Sequence, residues 1–149
     1  MDIDCDGIAG NECNATTDPW FQAETSATDS KGKYLNAATL PYVVVPLPSS
    51  RFDYSAAGLA LGSVVAVIYA GQVRYGVFGD EGPQAIIGEA SYAMAASLGI
   101  DPNPATGGVD SGVTYIAFTG AGSVMAPIED HAGTVTLGES LAAALIAKN

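Results

Sequence analysis

The sequence predicts a mainly β domain, most economically a small closed barrel with one or two short helices. Three observations point there. Short β-branched and aromatic runs recur at residues 42–45, 63–69, 72–78 and 113–118, a composition that fits a pleated, half-buried surface. Glycine and proline punctuate the intervals, with 18 and 8 copies in 149 residues. Helical pattern is confined to residues 89–98 and 137–147. A chain of this length can bury one core without a metal or a disulfide framework. With no internal repeat or linker, residues 1–149 read as a single domain, an acidic N-terminal arm over 1–36 and a barrel over 37–149.

The arm is rich in Asp, Asn, Thr, Gly and Ser, and its aromatic pair Trp20 and Phe21 is expected to anchor it across the surface. Cys5 and Cys13 are the two cysteines, and His131 is the one histidine. A closed zinc site needs four nitrogen or sulfur ligands, so a short-loop disulfide pinning the N-terminus is expected instead, which implies an oxidising compartment. Asp2-x-Asp4-x-Asp6-Gly7 looks like the first half of an EF-hand loop and nominates Asp2, Asp4 and Asp6 as calcium ligands. The second half departs from that pattern, with Cys13 at the twelfth position and Glu12 one step early.

Residues 42–45 lie between Pro41 and Pro46 and read as an edge or lead-in strand. Residues 63–69 and 72–78 are joined at Ala70-Gly71, a hairpin signal, and the first of them is apolar on both faces and so expected to be buried. Residues 85–87 suggest a short strand. The helical stretch 89–98 meets Gly99, with Pro102 beyond. Residues 101–112 hold three Gly, two Pro and two Asp and form a loop long enough to line a site. A strand over 113–118, a Gly-rich turn over 119–123 and a second helix over 137–147 complete the chain.

Sixteen acidic against five basic residues give a formal charge of −11. Polyanions are poor partners for such a chain, because nucleic acid and anionic membrane are bound by clustered Lys and Arg. No run approaches the roughly 20 apolar residues needed to span a bilayer. The opening Met-Asp-Ile-Asp lacks a basic region followed by an apolar one, so any export signal is read as already removed. Nucleophilic serine chemistry lacks a G-x-S-x-G elbow, and no phosphate cradle of the G-x-G-x-x-G or Walker type is present.

Carboxylate chemistry remains. An apolar strand pattern runs into Asp80, turns at Gly82-Pro83, and returns through Ile86 and Ile87 to Glu89 at the start of the predicted helix. Fully extended, the intervening residues would span roughly 30 Å, so only the turn lets the two acids cooperate. Such a pair suits glycoside hydrolysis, one carboxyl protonating the leaving oxygen while the other activates water or attacks. A helix N-terminus lowers a carboxyl pKa whereas a general acid needs it raised. Burial of Glu89 against Ile86, Ile87 or Tyr92 therefore has to outweigh the dipole. The purely structural reading is that Asp80 caps the turn and Glu89 complements the dipole.

The runs Tyr75-Gly-Val-Phe-Gly-Asp80, Ile86-Ile-Gly-Glu89-Ala-Ser91 and Val113-Thr-Tyr-Ile-Ala-Phe-Thr-Gly120, with Asp4-Cys-Asp-Gly7 and Pro41-Tyr-Val-Val44, resemble the chitosanases of glycoside hydrolase family 75. The resemblance implies a secreted endo-acting enzyme that hydrolyses β-1,4-linked glucosamine polymer with inversion. The family's essential Asp and Glu then fall on Asp80 and Glu89. A weaker likeness, Asp80-x-Gly82-Pro83 followed by an apolar pair, an acid and an Ala-rich helix, is similar to double-psi β-barrels such as expansins and family 45 endoglucanases. It implies a closed six-stranded double-psi β-barrel with Glu89 as proton donor and Asp80 as base, although those barrels carry Asp where this chain has Glu89.

With chitosan or chito-oligosaccharide as partner, the acidic surface gains a purpose, since carboxylates steer a polycation. Asp53, Glu81, Asp110 and Asp130 in predicted loops are the candidate contacts, with Tyr92, Tyr75 and Trp20 as candidate sugar-stacking rings. The enzyme is expected to be monomeric and to require no cofactor, with Asp2, Asp4 and Asp6 as candidate ligands of a structural calcium. The competing expectation, from another class, is a non-hydrolytic expansin-like barrel that binds or loosens polysaccharide.

Overall fold

The computed structural model describes residues 1–148. Six strands form one mixed sheet: β1 (Asp2–Asp4), β2 (Tyr42–Pro46), β3 (Val64–Tyr69), β4 (Gln72–Gly82), β5 (Glu89–Ser91) and β6 (Thr114–Ala117), with helices α1 (Tyr92–Ser97) and α2 (His131–Ile146). Their spatial order is β1-β5-β2-β4-β3-β6. The expected closed six-stranded double-psi barrel is not formed, because β1 pairs only with β5 and β6 only with β3, leaving an open sheet. The physical reason lies at the β1 edge. There the loop over 101–112 exchanges two hydrogen bonds with Met1 through Val109 (2.5 and 2.9 Å), taking up the edge that β6 would need.

The hairpin forms as its sequence dictates. β3 and β4 pair antiparallel from Val64↔Val77 to Tyr69↔Gln72. Ala70 (φ 48°) and Gly71 (φ 77°) supply the two left-handed residues that a twist-matched two-residue turn demands. β2 is a central strand rather than the edge strand its prolines suggested, and all five of its residues are buried. Pro41 precedes the strand and Pro46 ends it, so no interior ladder N–H is lost.

α1 begins three residues later than its composition predicted, because Ser91 is the residue whose side chain can cap it. The fully buried Ser91 hydroxyl accepts from Met94 N (3.2 Å) and Tyr42 N (3.0 Å) and donates to Leu40 O (2.9 Å). Glu89 is consequently a strand residue. Met94, Ala95 and Leu98 pack with Ile3, Val43, Val65, Val67 and Phe78 in the main core. α2, capped by Asp130, lays Leu137 and Leu141 over Val64, Ala66 and Phe118. Residues 85–87 are not a strand: Ile87 is 80% exposed and the segment bends around Pro83.

The N-terminal arm departs most from expectation. Trp20 is 85% exposed and anchors nothing. The hold comes from Ile3 in β1, from the Cys5–Cys13 disulfide (Cα–Cα 5.0 Å), and from Ala27 and Leu35, all buried. Closing the short disulfide loop removes conformational freedom from the unfolded chain, which a segment this polar needs in order to stay ordered.

Candidate active site

The arm, the end of β4 and the start of β5 together enclose a cleft of about 680 Å³. Its lining includes Asp2, Asp4, Asp6, Asp18, Trp20, Gln22, Asp80, Glu81, Gly82 and Glu89, and no Lys, Arg or His. Asp80 and Glu89 thus face one cavity. β1 pairs with β5 in parallel register Asp2↔Glu89 and Asp4↔Ser91, which stations the arm's carboxylates beside Glu89.

A bulge aims Asp80. Val43 pairs with Phe78 but Val44 pairs with Asp80, so Gly79 is an extra residue on β4. The bulge offsets the strict alternation that would place Asp80 on the core face of Phe78. The Gly79 carbonyl accepts from Ala27 N (3.0 Å), which ties the bulge to the arm. One residue earlier in the arm, Ser26 donates to Asp80 Oδ1 through both its backbone N (2.7 Å) and its hydroxyl (2.8 Å), and Glu81 N adds a third bond at 2.8 Å. Ser26 carried no signal in the sequence, since one serine in a polar arm looks like any other.

Asp4, Asp6, Asp80 and Glu89 are each pushed upward, burial being the largest cause. Glu89 rises to about 7 through burial and then the charges of Asp2, Asp6 and Asp80. Asp4 rises to about 8 and Asp6 to about 6, in both cases through burial before neighbouring charge. Asp80 is also raised by burial, but its three hydrogen bonds favour the ionised form and pull against it. The dipole of α1 does not depress Glu89, which sits in β5 ahead of the capped helix start.

The other sequence-read contacts divide. Glu81 lines the cleft and accepts from the Tyr54 hydroxyl at 2.5 Å. Trp20 also lines it. Asp53 instead caps its own turn through Ser55, Asp130 caps α2, Asp110 is exposed on the loop over 101–112, and Tyr92 packs beside Tyr42 and Val44. These four lie outside the cleft lining, and Tyr75 lies under α2, against Gly138. Of the nominated calcium ligands, Asp4 and Asp6 converge with Asp80 rather than with Asp2, each of the three offering an oxygen within 4.8 Å of the others. Such an all-carboxylate set suits a hard cation.

The sequence profile of fungal chitosanases of glycosyl hydrolase group 75 matches residues 1–141. The chain belongs to glycoside hydrolase family 75. Within what it resembles are endo-chitosanase B of Aspergillus oryzae, 34% identical over 84% of this chain and 55% of that protein, and endo-chitosanase C of the same species, 34% identical over the whole chain and 39% of that protein. An endo-chitosanase of Aspergillus fumigatus is 33% identical over 83% of this chain and 56% of its own length. The chain therefore spans about half the length, or less, of these curated relatives.

Within this family 75 chain, Gly82 leaves room for the Glu89 carboxyl by lacking a side chain. A Cβ there would lie 2.6 Å from Glu89 Oε2 and 2.9 Å from Val44 Cγ1. Gly82→Ala should therefore displace the Glu89 carboxyl, with a smaller adjustment of the Val44 side chain. The expected result is a fall in kcat of about tenfold to a hundredfold with KM little changed, as small misplacements of a reacting group produce. An unchanged kcat in steady-state assays would mean that the carboxyl has room to spare.

Proposed function

We propose that this chain is the catalytic domain of a secreted, endo-acting chitosanase that hydrolyses β-1,4 bonds of glucosamine polymer with inversion. The observation that carries this reading is the convergence of Asp80 and Glu89 on one acidic cleft, in environments that differ where it matters. Glu89 has burial and like charge against ionisation, and among the described residues no hydrogen bond reaches its carboxyl, so it keeps a proton to near pH 7 and serves as general acid. Asp80, steadied by Ser26 and Glu81 N, is the carboxylate that activates water on the opposite face of the sugar.

The family membership supports the substrate class, and a cleft without a basic residue supports a cationic polymer. The reaction needs no cofactor, since proton transfer and water activation are both supplied by the two carboxyls. Export is supported by the disulfide, and among the described residues no helix is long and apolar enough to cross a membrane.

The test is to follow early chitosan products by proton NMR. Inversion of a β-linked polymer should yield α reducing ends before mutarotation blurs them. β reducing ends would replace the water-activating role of Asp80 with a nucleophilic one. Binding with no new reducing ends would favour the non-hydrolytic, expansin-like alternative.

A further inference from the structure

We propose that Asp4, Asp6 and Asp80 together form a receptor for a protonated primary amine, the 2-ammonium group of the glucosamine unit beside the scissile bond. This assignment deepens the chitosan reading of the cleft and rests on it.

Three observations carry it. The first is geometric: one carboxylate oxygen from each residue lies within 4.8 Å of those of the other two. An ammonium has three hydrogens, and three acceptors placed about 2.8 Å from a tetrahedral nitrogen sit roughly 4.6 Å from one another. The second is that Asp4, 9% exposed, leaves Oδ2 buried with no hydrogen-bond partner, since the neighbouring Tyr42 hydroxyl donates instead to Asp6 O at 3.1 Å. A buried orphan acceptor beside two further carboxylates is costly unless a donor or a cation arrives.

The third is preorganisation. Each aspartate is fastened through Oδ1 by protein donors: Asp4 by Asp6 N (2.7 Å), Asp6 by Gln22 N (2.6 Å) and Asp80 by Ser26 and Glu81 N. These bonds fix the three side chains in place. Burial keeps a proton on Asp4 in the free cleft, and a docking ammonium favours the ionised carboxylate in its stead, while no Lys, Arg or His among the described residues lines the cleft. An acetylated amine would bring neither charge nor three donors, and would bring extra bulk. A calcium ion, which takes six to eight oxygens, would need the remainder from water, whereas three acceptors match the three hydrogens of one ammonium.

The experiment uses the Glu89→Gln protein, so that substrate survives the titration. Calorimetry compares glucosamine tetramer with cellotetraose, the same backbone bearing a hydroxyl in place of the amine. The expected result is a strong preference for the glucosamine tetramer, which Asp6→Asn lowers by about tenfold or more while cellotetraose affinity stays unchanged, the scale of one charged hydrogen bond. Asp4→Asn serves as the second variant and should act alike.

Asp18→Asn removes a charge that acts on Asp6 through space but lies outside the three-oxygen cluster, and should leave most of the preference intact. An equal loss there would overturn the receptor in favour of diffuse charge. No binding of either tetramer, or a preference unaltered by Asp6→Asn, would overturn it outright. So would tight binding of calcium chloride that Asp6→Asn abolishes, which would make the cluster a metal site. If the preference depends on Asp6 but the Glu89-intact protein releases no reducing ends from chitosan, the hydrolytic reading fails alone.

Discussion

Glu89→Gln should lower kcat on chitosan by about a thousandfold, within the range that removal of a general acid produces, and leave KM nearly unchanged. Gln matches Glu in shape but cannot deliver a proton to the leaving oxygen. The pH dependence makes the assignment specific. Glu89 has its pKa raised to about 7, so the active, protonated form is full below that value and is lost as pH rises through it. The profile of kcat/KM should accordingly carry an alkaline limb near 7 that disappears in the variant's residual activity. Folding should not suffer, since the substitution removes a half-buried charge that Asp2, Asp6 and Asp80 repel. A variant that turns over at the wild-type rate, or that keeps the limb, would assign the proton to another group.

Asp80→Asn is the second large effect, with an expected loss of about a hundredfold to ten-thousandfold in kcat. Its Oδ1 can still accept from Ser26 N, the Ser26 hydroxyl and Glu81 N, so the bulge and the arm should stay in place. What disappears is the negative charge that takes a proton from water. Thermal unfolding within a few degrees of the unaltered protein, together with the rate loss, would identify a chemical role. Retained activity would remove Asp80 from the reaction and leave it as the keystone of the arm alone. A large fall in unfolding temperature would make the rate loss a folding defect.

Much of the local structure was legible. The Ala70-Gly71 turn, the two helices apart from where each begins (92 rather than 89, 131 rather than 137) and the Cys5–Cys13 pair follow from short-range patterns, because each depends on a few neighbouring φ/ψ preferences or on there being no other partner. Errors arose where distant segments compete. Ile86 and Ile87 are apolar enough for a strand, but the segment bends around Pro83 and pairs with no strand among the described residues, and Ile87 is left in solvent. Pro41 and Pro46 argued for an edge, yet their positions at the strand ends cost β2 nothing in the middle of the sheet. Trp20 and Phe21 were the obvious anchors for the arm, while its real attachment runs through Ile3, the disulfide and backbone hydrogen bonds that no periodicity announces.

By itself, the sequence determined a mainly β chain of family 75, the carboxylate pair Asp80 and Glu89, and an acidic balance unsuited to polyanions. The tertiary structure alone decided that the sheet stays open, that Gly79 bulges so Asp80 looks into the cleft, and that Asp4 and Asp6 join it from the other end of the chain. The reason is physical. Residue type and spacing report what each segment prefers, whereas strand register, bulges and the pKa of a buried carboxyl depend on which segments finally lie side by side.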